Sequence, residues 1–120
     1  MKLIRSFAYA FNGIKICFTS EVNFKIHIVI AIFTIVSGLV FRISGIEWLA
    51  VTFCIAFVTA MEMINTALEK LCDMVHQDIH PVIKMIKDIA AGAVLLAAIG
   101  SLITGTFIFL PKLMNYIKLL

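Results

Sequence analysis

Residues 89–110 carry no charged side chain. As a helix, that run is about 33 Å long at ~1.5 Å per residue, close to the hydrocarbon thickness of a bilayer. Two shorter runs precede it. IVIAIFTIVSGLVF occupies 28–41 and can extend to Ile26 and Ile43; WLAVTFCIAFVTAM occupies 48–61. A chain of 120 residues that is 62% hydrophobic and only 14% charged lacks the polar surface to coat a globule in water. The pattern predicts an all-α integral membrane protein of one domain, residues 1–120. Its transmembrane spans fall at about 26–43, 48–66 and 89–110. The segment RISGIE, with Gly45 inside and a charge at each end, predicts a tight turn between antiparallel spans.

The first 25 residues read differently. Leu3, Phe7, Phe11, Ile14 and Phe18 recur at helical spacing, while Lys2, Arg5, Asn12 and Lys15 fall mostly elsewhere on the wheel. This predicts an amphipathic helix in the membrane interface, although a core-facing helix has the same periodicity. No removable signal peptide is expected, because no uninterrupted apolar core with a small-residue cleavage site follows. Lys2, Arg5, Lys15 and Lys25 precede the first span, and Lys70, Lys84 and Lys87 lie between the second and third. Arg42, Lys112 and Lys118 fall on the other side. The imbalance places the N-terminus and the 69–88 segment in the cytoplasm, with the C-terminus outside.

Several functions are disfavoured. The net charge is +3, with scattered basic residues and no basic-aromatic array, so no nucleic acid partner is expected. Cys17, Cys54 and Cys72 are odd in number and include no CxxC, which reads as reduced thiols. The third span carries Ala93, Ala97, Ser101 and Gly105 four apart, a small-residue stripe that predicts close helix packing.

The chemistry concentrates in EMINTALEKLCD, residues 62–73. Steps of three, four and four put Glu62, Asn65, Glu69 and Asp73 on one helix face. Glu62 follows directly on the apolar run and lies near the edge of the hydrocarbon. An ionised carboxylate there is costly unless it faces protein, water or a cation. A helix simply emerging into solvent accounts for Asp73, but poorly for Glu62 and the Asn65 register. Of seven acidic residues, Glu62, Glu69, Asp73, Asp78 and Asp88 are crowded into one stretch. Such oxygen-rich groups suit Mg²⁺, often shared with substrate phosphates. Pro81 suits the first turn of the third spanning helix, and Lys84 and Lys87 follow near the surface. Such lysines meet phosphates or merely snorkel. Asp73, His76 and His80 have transition-metal spacing only if the helix continues, and HQDIHP reads as a loop. His27, at the mouth of the first span, reads as an interface residue. Glu21 in SEVNFKIH is a weak signal alone. No GxxxxGK[ST] loop or protein-kinase motif set is present.

These residues resemble the small prokaryotic diacylglycerol kinase family, which includes the undecaprenol kinases. The E-x-x-N-T-A-x-E-x-x-x-D pattern is met by Glu62, Asn65, Thr66, Ala67, Glu69 and Asp73, and KDIAAGAVL by residues 87–95. SFAYAFNG, Glu21 and the order of three spans extend the likeness over nearly the whole chain. The resemblance implies a lipid kinase that transfers the γ-phosphoryl group of ATP, with Mg²⁺, to the hydroxyl of undecaprenol or diacylglycerol. It implies a homotrimer in the bacterial inner membrane, with sites shared between subunits at the cytoplasmic face. By position, Glu62 matches the catalytic base, and Glu21 and Glu69 the metal ligands. Asn65 matches a polar partner, with Asp73 in support. Lys87 and Asp88, with Tyr9 and His80, match nucleotide contacts, which Glu69 joins through the metal. The Glu21–His27 block is more like the undecaprenol kinase branch. A proton-coupled transporter with an intramembrane glutamate is the alternative, though such proteins usually have four spans and a mid-membrane acid.

Overall fold

The computed structural model describes residues 1–76 and 80–120; Asp78 of the acidic stretch lies outside the described residues. Four helices follow in order: α1 Lys2–Ser20, α2 Val22–Phe41, α3 Gly45–Val75 and α4 Pro81–Leu119. The last three are long and apolar enough to cross a membrane. α4 alone is about 58 Å of helix at ~1.5 Å per residue, matching the molecule's longest dimension of 58 Å.

The boundaries have local causes. Residues 1–25 do not form one helix, because Glu21 takes an extended backbone, φ −115° and ψ 115°, between α1 and α2. The α2–α3 turn is the tight connection that RISGIE predicts, with only residues 42–44 between the helices. Arg42, not Gly45, takes the left-handed conformation, with φ 52°. Both Arg42 and Ile43 donate their N–H groups to the Gly38 carbonyl, closing the helix end. Ser44 and Glu47 then form a reciprocal cap: the Ser44 side chain accepts from Glu47 N–H, and the Glu47 carboxylate accepts from Ser44 N–H. Such a cap contributes about 1 kcal/mol. Glu47 also meets Lys112 of α4 at 2.8 Å, which ties the far end of the bundle.

α4 packs along α3, and α2 packs on α3 less extensively. Ile43, Val51 and Ile108 form the buried core, with Phe41, Trp48 and Phe109 against it. Gly38 is required here: a Cβ would lie 2.7 Å from the Trp48 ring. Within the single chain α4 buries Ala90, Val94, Ala97 and Ile108; of the small-residue row, Ala97 is buried, Ser101 and Gly105 are half-buried and Ala93 is exposed. Each step of four overshoots a full turn by about 40°, so a strict four-residue row winds off the contact face.

α2 and α4 splay apart over α3 and leave a cleft of about 710 Å³. His27 lines one end and Phe41 and Leu113 the other. This spans about 21 Å along α2 at ~1.5 Å per residue. The hydroxyls in its wall make few demands on an occupant. Thr34, Thr59 and Thr104 donate to the Ile30, Ile55 and Gly100 carbonyls of their own helices, so the surface behaves as apolar.

Candidate active site

The antiparallel order brings the start of α2, the end of α3 and the start of α4 to one end of the bundle. Along α3 the predicted polar face is graded. Glu62 is 4% exposed and Asn65 8%. Glu69 is half-buried, and Asp73 is exposed. The 3-4-4 spacing holds these groups within one narrow sector while their depth falls by about 16 Å along the helix.

Glu62 Oε1 lies 3.4 Å from His27 Nε2 of α2. Asn65 Nδ2 donates to Glu69 Oε1 at 3.0 Å, while Asn65 Oδ1 is buried with no partner among the described residues. Such an orphaned oxygen marks a place where a donor or cation belongs. Glu21, at the α1–α2 corner, meets Lys70 of α3 at 3.7 Å. Glu21 and Glu69 both stand near enough to Glu62 for their charges to be felt there. Beside them, burial and then the Glu21 charge push the Cys17 thiol up, which keeps it neutral.

α4 closes the other side. Lys87 Nζ donates to Asp73 across the α3–α4 junction, and Lys84 meets Asp88 at 2.6 Å within α4. The Lys–Asp pair therefore divides: Lys87 turns to α3, while Asp88 is held by Lys84. His80 is the N-cap of α4, its Nδ1 accepting from Val82 N–H. Its ring centroid is 5.2 Å from that of His76. α3 ends at Val75, so Asp73, His76 and His80 do not share one continuous helix. Tyr9 stays exposed on α1.

Among the described residues, no group of three or more His, Cys, Asp or Glu side chains stands ready to hold a metal ion. Glu21, Glu69 and the orphaned Asn65 oxygen are nonetheless hard oxygen donors. Oxygen donors of this kind suit Mg²⁺, which commonly takes one or two carboxylates and completes its shell with water and phosphate.

His27 is the residue that sequence reasoning undervalued. The available signal was an ionisable side chain at the mouth of an apolar span, a position that calls for a partner. Its pairing with Glu62 joins residues on two helices and is not visible in any local motif.

Comparison with known proteins gives the chain's family. The model of the family "Prokaryotic diacylglycerol kinase" matches residues 8–109. An undecaprenol kinase of Bacillus subtilis is 38% identical over 93% of this chain and 91% of its own length. A diacylglycerol kinase of Synechocystis is 40% identical over 94% of this chain, which spans only 65% of that relative. The diacylglycerol kinase of Escherichia coli K12 is 23% identical over 86% of this chain and 84% of its own. With Glu62, Asn65 and Glu69 gathered at one end of three apolar helices, and a family match over most of its length, the chain belongs to the prokaryotic diacylglycerol kinase family.

Proposed function

We propose that the protein is a membrane lipid kinase that moves the γ-phosphoryl group of Mg-ATP to the hydroxyl of undecaprenol. The observation that carries this reading is a buried carboxylate, Glu62, in contact with the residue that heads an apolar cleft. A prenyl chain in the cleft brings its hydroxyl to the His27 end, within reach of Glu62. Phosphoryl transfer needs in-line placement and charge neutralisation more than covalent chemistry. Glu62 accepts the hydroxyl proton as the oxygen attacks the γ-phosphorus and the bond from that phosphorus to the bridging oxygen breaks, with ADP as the leaving group. Lys87 exchanges Asp73 for the phosphates and offsets their charge. Glu21 and Glu69, aided by Asn65 Oδ1, would hold Mg²⁺, which when bound neutralises the phosphate oxygens. Asp88, His80 and Tyr9 are assigned to the nucleotide, and Asp73 supports Lys87.

The working assembly is a homotrimer in the bacterial inner membrane, with its sites on the cytoplasmic side. The excess of Lys and Arg at the catalytic end supports that orientation. Leu3, Phe7 and Phe11, all exposed on α1, support an interfacial seat for this helix. The proton-coupled transporter finds no support, since the acids collect at one end and the named relatives are kinases.

Two relatives of similar identity carry different lipid names. The Glu21–His27 block favours undecaprenol. Initial rates for undecaprenol and diacylglycerol at matched mole fraction in the same micelles test the choice. Undecaprenol is expected to be the faster acceptor; a roughly tenfold preference for diacylglycerol overturns it.

A further inference from the structure

Glu62 has three torsions and a single carboxylate to place, and few neighbours can hold it. Glu21, at the α1–α2 corner, and Glu69, on α3, are carboxylic side chains already engaged by Lys70 and Asn65, and offer it no cation. Cys17 of α1, buried as a neutral thiol, brings no charge to it. Lys87 of α4 is engaged by Asp73. Among the described residues, His27 is the one cationic side chain within 4 Å of the Glu62 carboxylate, at 3.4 Å. His27 also lines the apolar cleft, where Glu62 itself does not. It therefore touches the proposed base with one ring nitrogen while the rest of the ring forms the cleft's polar end.

We propose that His27 is a positioning residue for the reaction. Its Nε2–H holds the Glu62 carboxylate towards the mouth of the cleft, so that the free oxygen meets the acceptor hydroxyl. The inference rests on the lipid-kinase reading and adds a role that the acidic motif does not contain. A donor is needed at one point, and neither imidazole ionisation nor proton relay is required. A glutamine reaches about as far as Nε2 and carries an N–H; asparagine is too short, and alanine has no donor.

The test is a steady-state comparison of the parent with His27→Ala, His27→Gln and His27→Asn, in the same lipid micelles with labelled ATP. His27→Ala is expected to lower kcat by about 10- to 100-fold, with KM for ATP and lipid within about twofold. His27→Gln should return kcat to within about threefold of the parent, and His27→Asn should resemble alanine. Should His27→Ala not fold, the glutamine–asparagine contrast carries the same test. An unchanged kcat in His27→Ala, a loss confined to KM, or a glutamine variant as slow as the asparagine variant each overturns the inference. If the parent itself transfers nothing to lipid, the kinase reading fails and the inference falls with it. A normal parent with an unaffected alanine variant overturns the inference alone.

Discussion

Glu62→Gln is expected to lower phosphoryl transfer by at least about 10³-fold, within the range that general base catalysis contributes. The amide has nearly the shape of the carboxylate but cannot accept the hydroxyl proton. Glu62 is 4% exposed, and His27 approaches it from α2. The substitution leaves a neutral group of similar size in that place, so the bundle should persist. Detergent-extracted protein should keep its helix content and bind ATP as the parent does. Turnover within about tenfold of the parent would remove Glu62 from the role of base.

Glu21→Ala and Glu69→Ala should each raise the Mg²⁺ needed for half-maximal activity by at least about tenfold, and cut the rate at limiting Mg²⁺ by about 100-fold. The two residues come from different elements, a helix break and the polar face of α3. Each is already partnered, Glu21 with Lys70 and Glu69 with Asn65. Removing Glu21 also frees the Lys70 charge beside the proposed metal, which works against a cation in the same direction. Mn²⁺ binding in the presence of ATP, followed by electron paramagnetic resonance, gives a readout independent of turnover. Parent-like Mn²⁺ binding and Mg²⁺ activation in both variants would mean that other groups hold the metal.

Much of this arrangement can be read from the chain. Lipid demands long uninterrupted apolar runs, so three spanning helices stand out in the composition itself. The polar face of α3 is equally visible, because 3-4-4 spacing has one meaning on a helix. What escapes such reading is tertiary or depends on a single torsion. The break at Glu21 is hidden because the apolar spacing of Phe11, Ile14 and Phe18 runs up to it, and no Gly or Pro lies between Phe18 and Glu21 to signal a stop. The turn itself is legible in RISGIE, but not that Arg42 closes α2 in the left-handed conformation, since such backbone normally selects glycine. The stripe on α4 is only partly matched inside the chain, because a four-residue row drifts around the helix: Ala97 is buried while Ala93 is exposed. His27–Glu62, Lys70–Glu21 and Lys87–Asp73 pair residues on different elements. Each partner is an ordinary residue in its own segment, and only the packing of α1, α2 and α4 around α3 gives it a role.

The central claim is that these carboxylates serve an alcohol that arrives through the membrane. The most direct measurement follows the γ-label of ATP, given to purified protein with undecaprenol in micelles and, separately, with glycerol in the same micelles. Proximity in the bilayer raises the effective concentration of the lipid hydroxyl at Glu62, an advantage glycerol lacks. The account predicts label in the organic phase as a phosphorylated lipid, with glycerol a very poor acceptor. Equal transfer to glycerol, or release of labelled inorganic phosphate with none in lipid, would contradict it.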